Sequence, residues 1–83
     1  MEDKDMKATF KQVQEAAKIF LDKADELNEL VSAYIDGSND PKAEKAYFEV
    51  RELDADFIRL INSYYHEGWK PGLNYELAES VIY

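Results

Sequence analysis

The sequence predicts an all-α fold, in which two long helices form an antiparallel hairpin and a short third helix completes one domain of residues 1–83. Apolar residues recur at alternating steps of three and four, the spacing of a helix stripe that faces a partner helix. Three Gly and two Pro are present, and all five lie at predicted helix ends or turns. No segment sustains the alternation of apolar and polar residues that is typical of a β-strand.

The first helix is predicted over residues of about 4–36. It ends before Gly37, because glycine readily adopts the left-handed conformation that closes a helix. A coiled-coil-like apolar stripe runs along its whole length and consists of Met6, Phe10, Val13, Ala17, Phe20, Ala24, Leu27, Val31 and Tyr34.

The second helix is predicted over residues of about 41–67. Asp40 followed by Pro41 is typical of an N-cap and the first helical position, and Gly68 is expected to end the helix. The third helix is predicted at about 74–83. The stripe of the second helix consists of Ala43, Ala46, Val50, Leu53, Phe57, Leu60 and Tyr64.

A short turn between the long helices forces them to run antiparallel. Facing positions then sum to about 77, which places Phe20 opposite Phe57. Two other layers, Ala24 with Leu53 and Ala17 with Leu60, pair a small residue with a large one, as interdigitated packing requires. In the remaining layer Leu27 faces Val50.

The second helix has further apolar residues off its stripe, and a helix that is apolar on several sides must be covered on several sides. The third helix can cover part of that surface. We expect a second copy to cover the rest in a helical-bundle homodimer, although a monomer with exposed aromatic residues is the alternative. The apolar residues predicted to bind a partner are Phe48, Ile58 and Tyr65 on the outer face of the second helix, and Trp69 after it.

The composition disfavours several classes of function. Eighteen acidic residues against ten basic ones give a net charge of −8, which opposes direct binding to nucleic acid or to an anionic membrane. There is no Cys and one His, which excludes a Cys-His triad and leaves too few Cys and His ligands for a typical zinc site. No apolar run approaches the ~20 residues of a membrane span, and the start of the chain is not a basic signal. We therefore expect a cytoplasmic protein without a cofactor.

Negative charge is concentrated around the predicted turn, where residues 22–56 have a net charge of −7. Such an acidic pole can serve solubility alone, or it can steer a basic partner. Carboxylates at helical spacing, such as Glu49, Glu52 and Asp56, could also imitate a nucleic-acid backbone. The acidic residues predicted to bind a partner are Glu26, Glu29, Glu49, Glu52 and Asp56.

Two short acidic motifs suggest a different possibility. Asp25-Glu26-Leu27-Asn28-Glu29 and Glu49-Val50-Arg51-Glu52 resemble the paired EExxE and ExxD motifs of the MazG-type all-α nucleotide pyrophosphatases. The resemblance implies that Glu26, Glu29, Glu49 and Glu52 bind Mg²⁺ and that the substrate is a nucleoside triphosphate. If Leu27 and Val50 face each other, however, Glu29 lies on the solvent side, and we expect no metal site.

The sequence therefore predicts a small acidic, non-enzymatic protein-binding module that acts through an apolar stripe and an acidic pole. An adaptor, inhibitor or immunity-type protein of the kind found in phage and mobile elements would fit its size and charge. The alternatives are a nucleic-acid mimic that blocks a basic nucleic-acid-binding protein, and a Mg²⁺-dependent pyrophosphatase.

Overall fold

A computed structural model describes residues 8–83, which form four α-helices and confirm the all-α fold class. The helices are α1 (Phe10–Glu26), α2 (Asn28–Ile35), α3 (Pro41–Tyr65) and α4 (Tyr75–Ile82). The predicted start of the first helix at residues 4–7 lies outside the described residues. None of the four helices is both long and apolar enough to cross a bilayer.

The first predicted helix is divided into α1 and α2 at Leu27. This residue has φ −104° and ψ 18°, yet its N–H still donates to the Lys23 carbonyl at 2.9 Å. The prediction of one unbroken helix is therefore wrong at Leu27, and it is also wrong at Ala8 and Thr9, because Thr9 is the extended N-cap of α1. Like charges at positions i and i+4, Asp22 with Glu26 and Asp25 with Glu29, weaken the helix around this point.

The ends of α3 illustrate one correct and one incorrect prediction. Asp40 is the N-cap, its side chain accepts from the Lys42 N–H at 2.9 Å, and Pro41 is the first helical residue. The other end falls at Tyr65, two residues earlier than predicted. His66, rather than a glycine, adopts the left-handed conformation with φ 58°, and its N–H donates to the Asn62 carbonyl.

Helices α1 and α2 both pack against α3, and residues later in the α1–α2 segment contact residues earlier in α3. The Phe20 and Phe57 rings stack with centroids 6.4 Å apart, and the Tyr34 and Tyr47 rings lie 4.7 Å apart nearer the turn. Phe20 and Phe57 are thus in contact across the layer where the sequence predicts them. The buried apolar core consists of Val13, Ala17, Phe20, Ala24, Val31, Ala43, Ala46, Val50, Phe57, Ile58, Ile61, Ala78 and Val81.

Helix α4 packs mainly against α1 of its own chain. The Tyr75 ring stacks on Phe20 at 5.3 Å, and the Gln14 Nε2 donates to the Val81 carbonyl at 2.9 Å. The connection before α4 also covers one side of α3. As a result, the buried face of α3 is rotated from the predicted stripe: Asp54, Ile58 and Ile61 are buried, whereas Leu53, Leu60 and Tyr64 are only half-buried.

Candidate protein-binding surfaces

The predicted apolar stripe on α3 does not exist as one surface. Phe48 and Tyr65 are about half exposed, but Ile58 between them is only 2% exposed. The prediction that Ile58 binds a partner is therefore wrong, because the chain buries this side chain in its own core. Phe48 and Tyr65 are also 17 positions apart, which is about 26 Å along a helix axis. They belong to two separate surfaces.

The first surface lies beside the turn between α2 and α3. The Tyr34, Tyr47 and Phe48 rings are in mutual contact: Phe48 lies 5.9 Å from Tyr34 and 5.3 Å from Tyr47 between centroids, both in edge geometry. Phe48 is 48% exposed, and Ile35, the neighbour of Tyr34 in sequence, is 59% exposed. We call the group Tyr34, Ile35, Tyr47 and Phe48 the turn-end surface.

Acidic side chains lie next to this surface on the outer side of α3. Phe48 and Glu52 are separated by one helical turn, and both line a shallow depression with Lys45 and Glu49. Glu49, Glu52 and Asp56 are all exposed. The structure thus brings an exposed aromatic ring and carboxylates together at the acidic pole, a combination that the sequence analysis did not predict.

Two carboxylates of this row have cationic neighbours within the chain. Lys23 Nζ lies 3.4 Å from Glu26 and 3.9 Å from Glu49, which links α1 to α3. Arg59 lies 3.4 Å from Asp56. Exposed ion pairs of this kind contribute only ~0–1 kcal/mol. They do, however, reduce the negative charge of the row, whereas Glu52 makes no ion pair with any of residues 8–83.

The four glutamates implied by the pyrophosphatase resemblance are not assembled into a cluster. Glu29 borders a depression formed only by its own segment, residues 25–30. Within residues 8–83, no three His, Cys, Asp or Glu side chains are grouped closely enough to hold a metal ion. The described residues therefore do not fit a Mg²⁺ centre built from Glu26, Glu29, Glu49 and Glu52.

Asp54 differs from the neighbouring acidic residues in its burial, although its place in the sequence puts it within the acidic pole. It is fully buried, and its carboxylate accepts hydrogen bonds from the Gly72 N–H at 2.7 Å and the Asn74 N–H at 3.1 Å. The Asn74 amide Nδ2 donates to both carboxylate oxygens at 3.1 Å. Asp54 thereby fixes the connection before α4 to α3. Its position four residues after Val50 and three before Phe57 was the available indication of burial.

Tyr75, the first residue of α4, lies near Asp54. Burial raises the pKa of the Tyr75 hydroxyl above its ordinary value of 10.0, and the negative charge of Asp54, then Tyr47, raises it further. The neutral phenol is therefore favoured in the folded chain. The contribution of the neutral Tyr75 phenol to folding stability is complete below pH 10 and is lost as the pH rises through the folded-state pKa of Tyr75.

We predict that one of the six tyrosines will titrate later than the others in an ultraviolet absorbance titration of the folded protein. Tyr75→Phe should remove this late component, because it removes the hydroxyl with the raised pKa. Tyr83→Phe, at a side chain that is almost fully exposed, is the control and should leave the late component in place. Persistence of the late component in Tyr75→Phe would contradict the assignment.

The second surface is an apolar cavity at the end of the molecule away from the turn, and we call it the open-end cavity. It lies between the C-terminal end of α3, the connection that follows, and α4. Tyr65 and Trp69 are both about half exposed at its border. The cavity is lined by Phe10, Ile61, Tyr65, Glu67, Trp69, Leu77, Ser80 and Val81.

No family model, curated protein or solved structure matches this chain. A functional assignment therefore depends on the two surfaces that the chain itself presents.

Proposed function

We propose that the protein is a small acidic, non-enzymatic protein-binding module, an adaptor or inhibitor, that forms a homodimer and binds a partner with a basic surface. The observation that supports this most strongly is the turn-end surface, where Phe48 and Ile35 are exposed beside the carboxylates of α3. Clustered aromatic residues are the usual anchors of protein interfaces. Lys45 and Arg51 also lie at this surface, but residues 22–56 have a net charge of −7, and a net charge of one sign selects a partner of the opposite sign and speeds its association.

The partner that fits best presents an apolar side chain to Phe48 and has Lys or Arg around it. Glu52 is the carboxylate most available to such a cation, because Glu49 and Asp56 already have cationic neighbours at 3.9 Å and 3.4 Å. The same two ion pairs make nucleic-acid mimicry less suitable, since a mimic needs unneutralised rows of negative charge. Glu26 and Glu49 share Lys23 as a neighbour, but no three acidic side chains of residues 8–83 are grouped closely enough to hold a metal ion, which does not support a pyrophosphatase.

Binding can be tested with a fluorescent peptide designed as an amphipathic helix, with leucines on one face and lysines and arginines around them. We expect the peptide to bind, and a peptide with glutamates in place of the basic residues not to bind. Phe48→Ala should weaken binding about tenfold or more, as for an interface anchor. Affinity should also fall with salt, because the screening length drops from ~10 Å at 0.1 M to ~3 Å at 1 M.

Ile19→Ala is the matched control, because Ile19 is a large apolar residue on α1 that is 55% exposed and lies outside the turn-end surface. This variant should bind the basic peptide as the unmodified chain does. Equal losses in Phe48→Ala and Ile19→Ala would indicate nonspecific adhesion. No binding by the unmodified chain at low salt would contradict the proposed partner.

A further inference from the structure

Aromatic side chains border the open-end cavity. The Asn62 side chain both accepts from the Trp69 N–H and donates to the Trp69 carbonyl, each at 2.9 Å, so the Trp69 backbone is held where the chain leaves α3. The Tyr64 and Tyr65 rings meet at right angles with centroids 4.8 Å apart, and Phe10 packs on Tyr64 at 5.5 Å. A partner that docks here would meet a Tyr65 ring that already packs on Tyr64, which lowers the entropic cost of association.

Charge distinguishes this end of the molecule from the acidic pole. Residues 8–21 have a net charge of +1 and residues 57–83 have −1, so the described parts of the open end are neutral together, whereas residues 22–56 have −7. Like charges placed against each other across an interface oppose association. Two copies of this chain therefore repel each other more strongly at their acidic poles than at their open ends, where Glu67 is the charged residue among the described residues that line the cavity.

We propose that a second copy of this chain docks on the open-end cavity, so that the half-exposed Tyr65 and Trp69 of each copy contact the apolar wall of the other around a twofold axis. This inference rests on the homodimer proposed above and assigns its surface. A basic partner is instead attracted to the acidic pole, so the two binding events use different ends. The dimer then presents two free turn-end surfaces and binds two basic partners.

The test measures the mass of the full chain by sedimentation equilibrium over a wide range of concentration. We expect a mass of twice 9.6 kDa that falls to 9.6 kDa on dilution. Trp69 is the only tryptophan, so its fluorescence reports directly on the proposed interface. Its emission should shift to longer wavelength on dilution, in step with the mass, as water reaches the ring.

Tyr65→Glu and Tyr65→Lys should both give monomers with unchanged helical circular dichroism. The use of both signs of charge separates loss of the apolar contact from a charge effect. Phe48→Glu is the control at the other end: it should remain dimeric but lose the basic peptide. A variant that unfolds is replaced by Tyr65→Ser, for which the same loss of dimer is expected.

Three results would overturn the inference: a mass of 9.6 kDa at every concentration, a dimer that survives all Tyr65 substitutions, or a dimer that is lost in Phe48→Glu. A monomer whose Trp69 emission is already at short wavelength and insensitive to dilution would show that another part of the same chain covers the cavity. Peptide binding by a monomer would contradict the proposed dimer surface but agree with the proposed basic partner. A dimer that does not bind the peptide would agree with the dimer surface but contradict the basic partner.

Discussion

Replacing Asp54 by alanine is expected to lower the free energy of unfolding by about 2–4 kcal/mol, since a hydrogen bond to a charged group contributes about 1.5–3 kcal/mol and a donor left unpaired costs about 1–3 kcal/mol. The substitution removes the acceptor of the Gly72 and Asn74 N–H groups and of the Asn74 amide. A domain of 83 residues has a total stability of about 4–12 kcal/mol, so the loss is a large part of the whole. The denaturant midpoint should fall accordingly.

A second substitution distinguishes the carboxylate from the space it fills. Asp54→Asn keeps the shape of the side chain but turns one acceptor into a donor, which then faces the N–H groups of the connection. It should also be destabilised, by less than the alanine variant. Hydrogen exchange gives a local measurement: the Gly72 and Asn74 amides should exchange faster in both variants, relative to amides in the middle of α1.

Asp56→Asn is the matched control. Asp56 lies two positions after Asp54 on the same helix, but it is exposed, and among residues 8–83 its ionic neighbour is Arg59. Its substitution should change stability by less than ~1 kcal/mol, as for other surface ion pairs. If Asp54→Ala and Asp56→Asn have the same small effect, the hydrogen bonds of Asp54 do not hold the connection.

The helices of this protein could be predicted because their indications are local. Asp40 and Pro41 fix the start of α3 within the neighbouring residues, and Gly37 adopts φ 101° as the closing position of α2. The end of α3 at His66 could not be predicted in the same way, because a non-glycine residue in the left-handed conformation has no distinctive sequence pattern. The break at Leu27 likewise involves neither Gly nor Pro.

The surfaces were less predictable, because burial depends on elements far apart in the sequence. The sequence places Asp54 among the acids of α3, and its burial depends on the connection at Gly72 and Asn74, which packs onto it. The exposure of Phe48 agrees with its place on the predicted outer face, but its contact with Tyr34 depends on how α2 packs on α3. Sequence periodicity identifies which residues share a side of one helix, and not which sides another element will cover.

Ile58 shows most clearly that sequence periodicity does not reveal which side of a helix another element covers. Its burial can be tested directly. Ile58 lies four positions after Asp54 and three before Ile61, on the side of α3 that the connection covers, and it is 2% exposed. Ile58→Ala is therefore expected to cost about 2–5 kcal/mol, the range for large-to-small substitutions in a core, and Ile58→Val about 0.5–1.5 kcal/mol. Urea unfolding followed by circular dichroism measures both, with an unchanged dependence on denaturant concentration if only stability is altered.

Phe48→Ala provides the comparison, since the sequence placed Phe48 and Ile58 on one partner-binding stripe and the structure separates them. Phe48 is 48% exposed, and its loss should cost less than ~1 kcal/mol in stability while it weakens binding of the basic peptide. Ile58→Val should have the opposite pattern, with a lower stability and unchanged binding. If Ile58→Ala proves as mild as Phe48→Ala, then Ile58 is not packed in the core of a single chain. Phe48, Ile58 and Tyr65 would then form the single binding surface that the sequence predicts.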